Sequence, residues 1–340
     1  MSRKLLVTGA SGHVGLNLCK RLVQGGADVR ATVRDRNDAE KTKTLWDMGI
    51  RDIVSLDVRN ADAFVEAAKG IDTMFHVAAT FRFVTSGAAA DRSMIDDSIE
   101  GATSAIRAAA RNRVRKVVLT STIGALPMAK SRTAKMTEED WNSDIFMPYI
   151  KAKTLAEKRA WQLAEELGVY LVTVLPAGIF GGYFDRPTQT TDLVEAIAKG
   201  GMRLGTFDKD VPFVDVSDLV DGHILAAEKD VHGRFILAAD EFPSFSRFID
   251  IMRDIDPGIK KPLMIIPEFM YPVVPLFDRV MSRLLGAPRL VTRDFVRFNR
   301  GHYFAASNER AKSVLGWTPK VSVEESVRQT MKQLRRIGRL

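Results

Sequence analysis

The sequence predicts an α/β fold, a doubly wound parallel sheet of about seven strands with a smaller C-terminal lobe. Two observations carry it. Short apolar runs alternate with longer helical stretches, and the first run ends in a glycine-rich turn that opens one of those stretches.

The runs are KLLVT (4–8), VRATV (29–33), DIVSL (52–56), TMFHV (73–77), KVVLT (116–120), VYLVTVL (169–175) and RFILAA (234–239). Between them, 13–25, 37–48, 61–69, 92–112 and 150–167 have helical composition. Strands separated by helices of that length pair in parallel and are covered on both faces. Residues 1–175 therefore read as one domain, with no Gly, Pro or Ser linker between the first five strands. From 176 to 340 the pattern loosens, with prolines at 257, 262, 267, 272, 275 and 288. That half reads as a smaller lobe interleaved with core elements that return at about 211–240, RFILAA being the clearest.

At 340 residues, 46% hydrophobic and 27% charged, the chain reads as soluble and globular and as more than one ordinary domain. No run of eighteen apolar residues suggests a spanning helix. The start, MSRK and then LLVTGA, leaves no room for a signal peptide, so a cytoplasmic location is expected. The single cysteine, Cys19, lies in a helical stretch and reads as a small buried hydrophobe. Net charge is +8, but the cations are interspersed with acids, which indicates a solvated basic surface and no nucleic-acid partner. The dense KQLRRIGRL at the end reads as the last turn of a helix, where cations favour the dipole.

The turn TGASGHVG, residues 8–15, follows the first strand and opens an amphipathic helix. Gly9 allows the tight turn, Gly12 lets backbone approach a pyrophosphate, and Gly15 lets the helix pack near the strand. Thr8, Ser11, His13 and Val14 complete this candidate phosphate cradle, at which the helix aims free N–H groups. An acid that binds the adenosine ribose is expected at the end of the second strand. The chain has Val33 there, then Arg34, Asp35 and Arg36. Without a carboxylate to repel it, a 2′-phosphate can be held by the Arg34 fork, which favours NADP(H). Asp35 as a displaced ribose ligand keeps NAD(H) open.

MPYIKAK, 147–153, places Tyr149 and Lys153 on one face of a helix, so the ammonium can lie near the phenol oxygen. A free tyrosine has a pKa of about 10, and a neighbouring cation favours the phenolate. The fifth strand ends in Thr120, Ser121 and Thr122, at the carboxyl edge where open α/β sheets bind ligands.

With T-G-x-x-G-x-x-G followed far downstream by Tyr-x-x-x-Lys, the chain resembles an extended short-chain dehydrogenase/reductase of the Rossmann type. VRATVRD (29–35), FHVAA (75–79), TEEDW (137–141), YIKAKTLAEKRAW (149–161), LPAGIFG (175–181) and VPFVDVSDLVDGHILAAE (211–228) are similar to the dihydroflavonol 4-reductase and cinnamoyl-CoA reductase branch. The resemblance implies that Arg34 and Lys41 hold the 2′-phosphate, that Asp57 and Val58 meet the adenine, and that Ala78 and Ala79 let the cofactor pass. It implies Tyr149 as proton donor to a carbonyl oxygen, with Lys153 tuning the phenol and hydrogen-bonding the nicotinamide ribose. Thr122 orients the substrate beside its neighbour Ser121, and Pro176, Gly178 and Ile179 pack against the nicotinamide. A homodimer through the helices at 92–112 and 150–167 is also implied. Two departures stand out: Ala152 replaces the serine that usually precedes the lysine, and Ser98 occupies the stretch where an asparagine is common, which removes the basis for an asparagine-organised water relay.

For the substrate, Phe81, Phe83, Met147, Ile179, Phe180 and Tyr183 are candidate pocket walls and favour a bulky hydrophobic ketone or secondary alcohol. Residues 262–286 are unusually apolar and admit three readings: a roof over the pocket, a helix packed in the lobe, or a surface that lies on a membrane. A similar segment occurs in relatives of the 3β-hydroxysteroid dehydrogenase type, which brings sterol-like or terpenoid substrates into range. His76 and His223 read as structural, and no pair of histidines with an acid suggests a metal site. Two rival functions share the scaffold: a sugar-nucleotide epimerase or dehydratase, which usually prefers NAD and an acid after the second strand, and a non-catalytic NADP-sensing protein, which typically loses the tyrosine.

Overall fold

The computed structural model describes residues 3–78, 88–285 and 291–340. The chain starts β1 (Lys4–Thr8), α1 (His13–Gln24), β2 (Asp28–Val33), α2 (Ala39–Asp47), β3 (Asp52–Ser55), α3 (Ala61–Ala67), β4 (Thr73–His76) and α4 (Ala88–Asn112). It continues with β5 (Lys116–Thr120), α5 (Pro148–Leu167), β6 (Leu171–Pro176), β7 (Ile179–Phe180), α6 (Gln189–Ala198), β8 (Thr206–Phe207) and β9 (Val214–Asp215). Then come α7 (Val216–Glu228), β10 (Gly233–Leu237), α8 (Phe245–Ile255), β11 (Ile265–Ile266), α9 (Val274–Leu285), α10 (Arg293–Asn299) and α11 (Val323–Arg336).

Seven strands form one parallel sheet in the order β10-β6-β5-β4-β1-β2-β3. The order reverses beside β1, so a crevice opens at the carboxyl ends of β1 and β4, the position at which such sheets bind ligands. Successive strand residues go to opposite faces. Leu6, Met74, Val117 and Leu171 pack with Phe64, Ala105 and Leu163 beneath α3, α4 and α5. Val7, Phe75, Val118 and Val172 pack with Leu16, Leu219 and Trp317 on the other face. Both faces are thus closed to water, which is why the strands read as continuous apolar runs rather than alternating ones.

Outside the sheet, β7 pairs with β9 and β8 with β11. A third core forms here around Phe180, Phe184, Phe213, Phe248 and Met331, joining α6, α8 and α11. The basic C-terminal stretch does close a helix, with Arg335 and Arg336 in the last turn of α11. Cys19 is fully buried, and burial pushes its thiol up to about 12, so it is an inert packing residue. No helix among the described residues is long and apolar enough to cross a membrane.

Candidate active site

The glycine turn is built as its sequence requires. Gly9 has φ of +66°, and a Cβ there would stand 2.8 Å from the Cα of Ala78. A Cβ on Gly15 would stand 2.2 Å from the Gly9 carbonyl oxygen, so neither position tolerates a side chain. The Thr8 hydroxyl accepts from the N–H groups of Val77 and Ala78, each at 3.1 Å, and therefore donates its proton to Nδ1 of His76 at 3.0 Å. That network fixes the ends of β1 and β4 side by side, with Ala78 under the turn. Gly12 caps α1 in an extended conformation without a side-chain acceptor, and Ser11 beside it is only half-buried. First-turn N–H groups that no side chain caps, beside a cradle a Cβ would fill, fit a dinucleotide pyrophosphate.

His13 is a correction. Its Nε2 donates to the carbonyl of Gly181 at 2.8 Å, its ring meets Phe184 edge-on at 5.1 Å, and burial lowers its pKa to about 4. The side chain ties α1 to the lobe, leaving its backbone as the part available to a phosphate. Val14 likewise turns into the core.

At the end of β2, Val33 is buried while Arg34 is exposed. The carboxylate of Asp35 accepts from Asn37 N–H at 2.9 Å in an Asx turn. Asp57 is gripped by Arg59 at 2.6 and 2.9 Å, which holds its pKa down to about 2, with Arg34 adding to the effect. Arg34 thus lies near enough to Asp57, past the ends of β2 and β3, to act on its carboxylate. Val58 packs against α4 where a Cβ on Gly101 would come within 3.1 Å of it. The ammonium of Lys41 is paired with Asp38, the N-cap of α2.

The other end of the crevice carries the polar chemistry. Met147 precedes α5 and Pro148 supplies its first position, so Tyr149, Lys153 and Glu157 fall at i, i+4 and i+8 on one face. Thr122 caps the short turn Ile123–Ala125, accepting from Gly124 N–H at 3.1 Å, and its hydroxyl lies close enough to the Tyr149 phenol to act on its pKa. Burial pushes the Tyr149 pKa upward, with the Thr122 hydroxyl opposing, so the phenol stays protonated at neutral pH. Lys153 donates to the carbonyl of Thr120 at 2.9 Å; burial lowers its pKa to about 8, and Glu157 acts against the shift.

Sequence reasoning missed what lies under Lys153. Glu157 accepts from Ser121 at 2.6 Å, from Thr173 at 2.9 Å and from Arg234 Nε at 2.9 Å. The fork of Arg234 continues to the carbonyls of Glu138 at 2.6 Å and Asp140 at 2.8 Å. This buried cluster commits the Ser121 hydroxyl away from the crevice and leaves Thr122 as the residue that meets the tyrosine. The signal was present in YIKAKTLAE, whose glutamate continues the Tyr-Lys spacing by another turn.

Met147, Ile150 and Phe298 form a small apolar core against which Tyr149, Met128, Phe146 and Phe304 pack. Of these Met147 and Tyr149 were expected; the aromatic stretch FVRFNRGHYF, 295–304, was the sequence signal for Phe298 and Phe304. Pro176 is buried, and Gly178 is required because a Cβ would stand 2.5 Å from the Pro212 oxygen. Ile179 is half-buried against the sheet-side core. Phe180 is a second correction: it is fully buried and stacks on Phe213 at 5.6 Å in the lobe core. Tyr183 is a third, since its ring and hydroxyl are taken by Arg336 on α11, not by the Met147 cluster. Ala79, Phe81 and Phe83 lie outside the described residues.

The two departures also find a place. Ala152 is buried and needs no hydroxyl partner. Ser98 donates back to the Met94 carbonyl of its own helix at 2.7 Å and takes part in no relay through that bond. His76 and His223 are structural: burial lowers their pKa to about 3 and about 4, and Nε2 of His223 lies 2.8 Å from the Thr120 hydroxyl.

A family model described as the NAD dependent epimerase/dehydratase family matches residues 5–238. Tetraketide alpha-pyrone reductase 2 of Arabidopsis thaliana is 31% identical over 268 residues, covering 74% of this chain and 83% of that protein. Dihydroflavonol 4-reductase of Zea mays is 31% identical over 285 residues, covering 74% and 79% respectively. Among solved structures, that of gox2253 superposes with a TM-score of 0.84 at 25% identity over 100% of both chains. The chain therefore belongs to the NAD dependent epimerase/dehydratase family of extended short-chain dehydrogenases/reductases, and is homologous to reductases of that family which act on carbonyl and alcohol groups.

Proposed function

We propose that this protein is an NADPH-dependent reductase of a bulky hydrophobic ketone, and of the matching secondary alcohol in reverse. The observation that carries the reading is the placement of the Thr122 hydroxyl near the buried Tyr149 phenol, beside the Met147, Phe298 and Phe304 cluster at the open end of the sheet. When bound, the nicotinamide nucleotide supplies the hydride. Tyr149 holds the proton that the carbonyl oxygen receives, and burial keeps it there until the oxygen becomes basic. Thr122 holds that oxygen in line with the phenol. Lys153, protonated below its pKa of about 8, brings positive charge to the same helix face and stabilises the phenolate left behind.

The preference for NADPH rests on Val33 in the acid's place and on exposed Arg34. A sugar-nucleotide substrate suits this pocket less well, because the wall beside Tyr149 is made of methionine and phenylalanine and offers few polar partners.

The test is a panel of flavanonols, aryl ketones and 3-ketosteroids, with NADPH consumption as the readout. Tyr149→Phe is expected to lower turnover of any accepted ketone by about a hundredfold or more while NADPH still raises the melting temperature. Turnover that survives this change removes Tyr149 as the donor. NADPH is expected to stabilise the protein more than NADH, and Arg34→Ala to erase the difference. Equal shifts with the wild type would remove the Arg34 argument.

A further inference from the structure

The lobe carries an apolar surface that the reductase reading leaves unused. Among the described residues twelve large hydrophobic side chains are strongly exposed, and eight of these fall between Leu263 and Val280. Leu263 is 74% exposed, Phe269 79% and Leu276 65%. Leu204 joins the group, because the carbonyl of its neighbour Arg203 accepts from Leu263 N–H at 2.9 Å. Scattered exposed leucines need no explanation, but this concentration does.

The surface is held in place rather than left over from a poor core. Tyr271 is 1% exposed and meets Phe207 edge-on at 5.1 Å, while β11 pairs with β8 beneath it. Phe269 and Val273, on either side of that anchor, are turned out to solvent. In α9, Leu276, Phe277 and Val280 are exposed together on one side, and Arg279 and Arg283 are exposed next to them.

Charge decides what the surface fits. Arg203, Lys260, Lys261, Arg279 and Arg283 flank the apolar residues. Of the two acids in the segment, Glu268 accepts from Gly301 N–H and lies 3.6 Å from Lys209, on the lobe side, and Asp278 is half-buried. An apolar face with a basic rim is complementary to a layer of acyl chains beneath anionic headgroups, where lysine and arginine can bury their stems and keep their charge in water.

We infer that the face formed by residues 263–280 docks on an anionic lipid bilayer, lying in the interface without spanning it. The inference is independent of the substrate and of the direction of the reaction. It places the lobe, and not the sheet, against the membrane.

The experiment is flotation of the full chain with vesicles of phosphatidylcholine alone and of phosphatidylcholine mixed with phosphatidylglycerol. The wild type is expected to float with the mixed vesicles, less with the neutral ones, and less again at high salt. The double change Phe269→Ser and Leu276→Ser is expected to cut the bound fraction roughly tenfold or more. Lys261→Glu with Arg283→Glu is expected to abolish the preference for the anionic vesicles. Both variants alter exposed side chains, so an unchanged melting temperature accompanies each result; if the serine variant melts early, the charge variant alone decides. Wild type that floats with neither vesicle overturns the inference. So does a sedimentation velocity that shows an oligomer in the wild type and a monomer in the serine variant, which reassigns the face to a second copy of the chain.

Discussion

The sheet and the stretch from 262 to 285 are both rich in large apolar residues, and the chain uses them in opposite ways. In β1, β4, β5 and β6 every such residue from Leu6 to Val174 is closed between helices. In the lobe stretch most of them face outward, and the local core is small: Phe207, Tyr271, Val291 and Val296. Hydrophobic content therefore does not distinguish the two regions. What distinguishes them is partners: β1, β4, β5 and β6 each have two neighbouring strands and two covering layers, whereas β11 pairs with β8 alone.

The comparison can be broken most sharply at Glu157. It is 1% exposed and paired with Arg234 at 7%, so Glu157→Gln leaves a buried guanidinium without its countercharge. A loss of roughly 3 to 5 kcal/mol in unfolding free energy is expected from denaturant melts. A loss within experimental error would mean that the sheet side is no more demanding than the lobe.

Acid offers a second lever on the sheet side. His13, His76 and His223 have pKa values lowered by burial to about 4, 3 and 4, from an ordinary value near 6.5. Between these limits the unfolded chain takes up protons that the folded chain refuses. Their contribution is fully present above pH 6.5 and is lost as the pH falls toward 4. Denaturant midpoints that stay flat from neutral pH down to that of acetate buffers would contradict the neutral assignment of these rings.

The smallest effect is expected on the lobe. Leu263→Ser removes a large side chain that is already in water, and stability should move by no more than about 0.5 kcal/mol. A drop comparable to that of Glu157→Gln would show that the outward face is in truth part of a core.

Much of the fold was legible because its signals are local. All seven sheet strands fall where the apolar runs place them, and the glycine turn requires its glycines for the reasons the spacing suggested. The helix before β5 starts at Ala88 and α5 at Pro148, a few residues earlier than composition indicated, because small residues and proline open helices well without adding apolar pattern. The site was legible along the chain and opaque across it. Tyr149, Lys153 and Thr122 share short segments whose order carries meaning. By contrast, Phe180 and Tyr183 could be assigned to the lobe core and to Arg336 only once α11, far off in sequence, was in place. The same holds for Glu157, whose partner Arg234 lies on a strand that returns to the sheet after the lobe has begun.

The bond from Lys153 to the Thr120 carbonyl has a consequence for how fast and how tightly a ligand is taken up. A lysine in water explores many rotamers, and freezing one costs up to about 2 kcal/mol. Here the chain has been frozen during folding, on a strand end that cannot move. A ligand arriving at the crevice meets an ammonium already at rest, so the disorder of that side chain is subtracted once, from folding, and never again from binding.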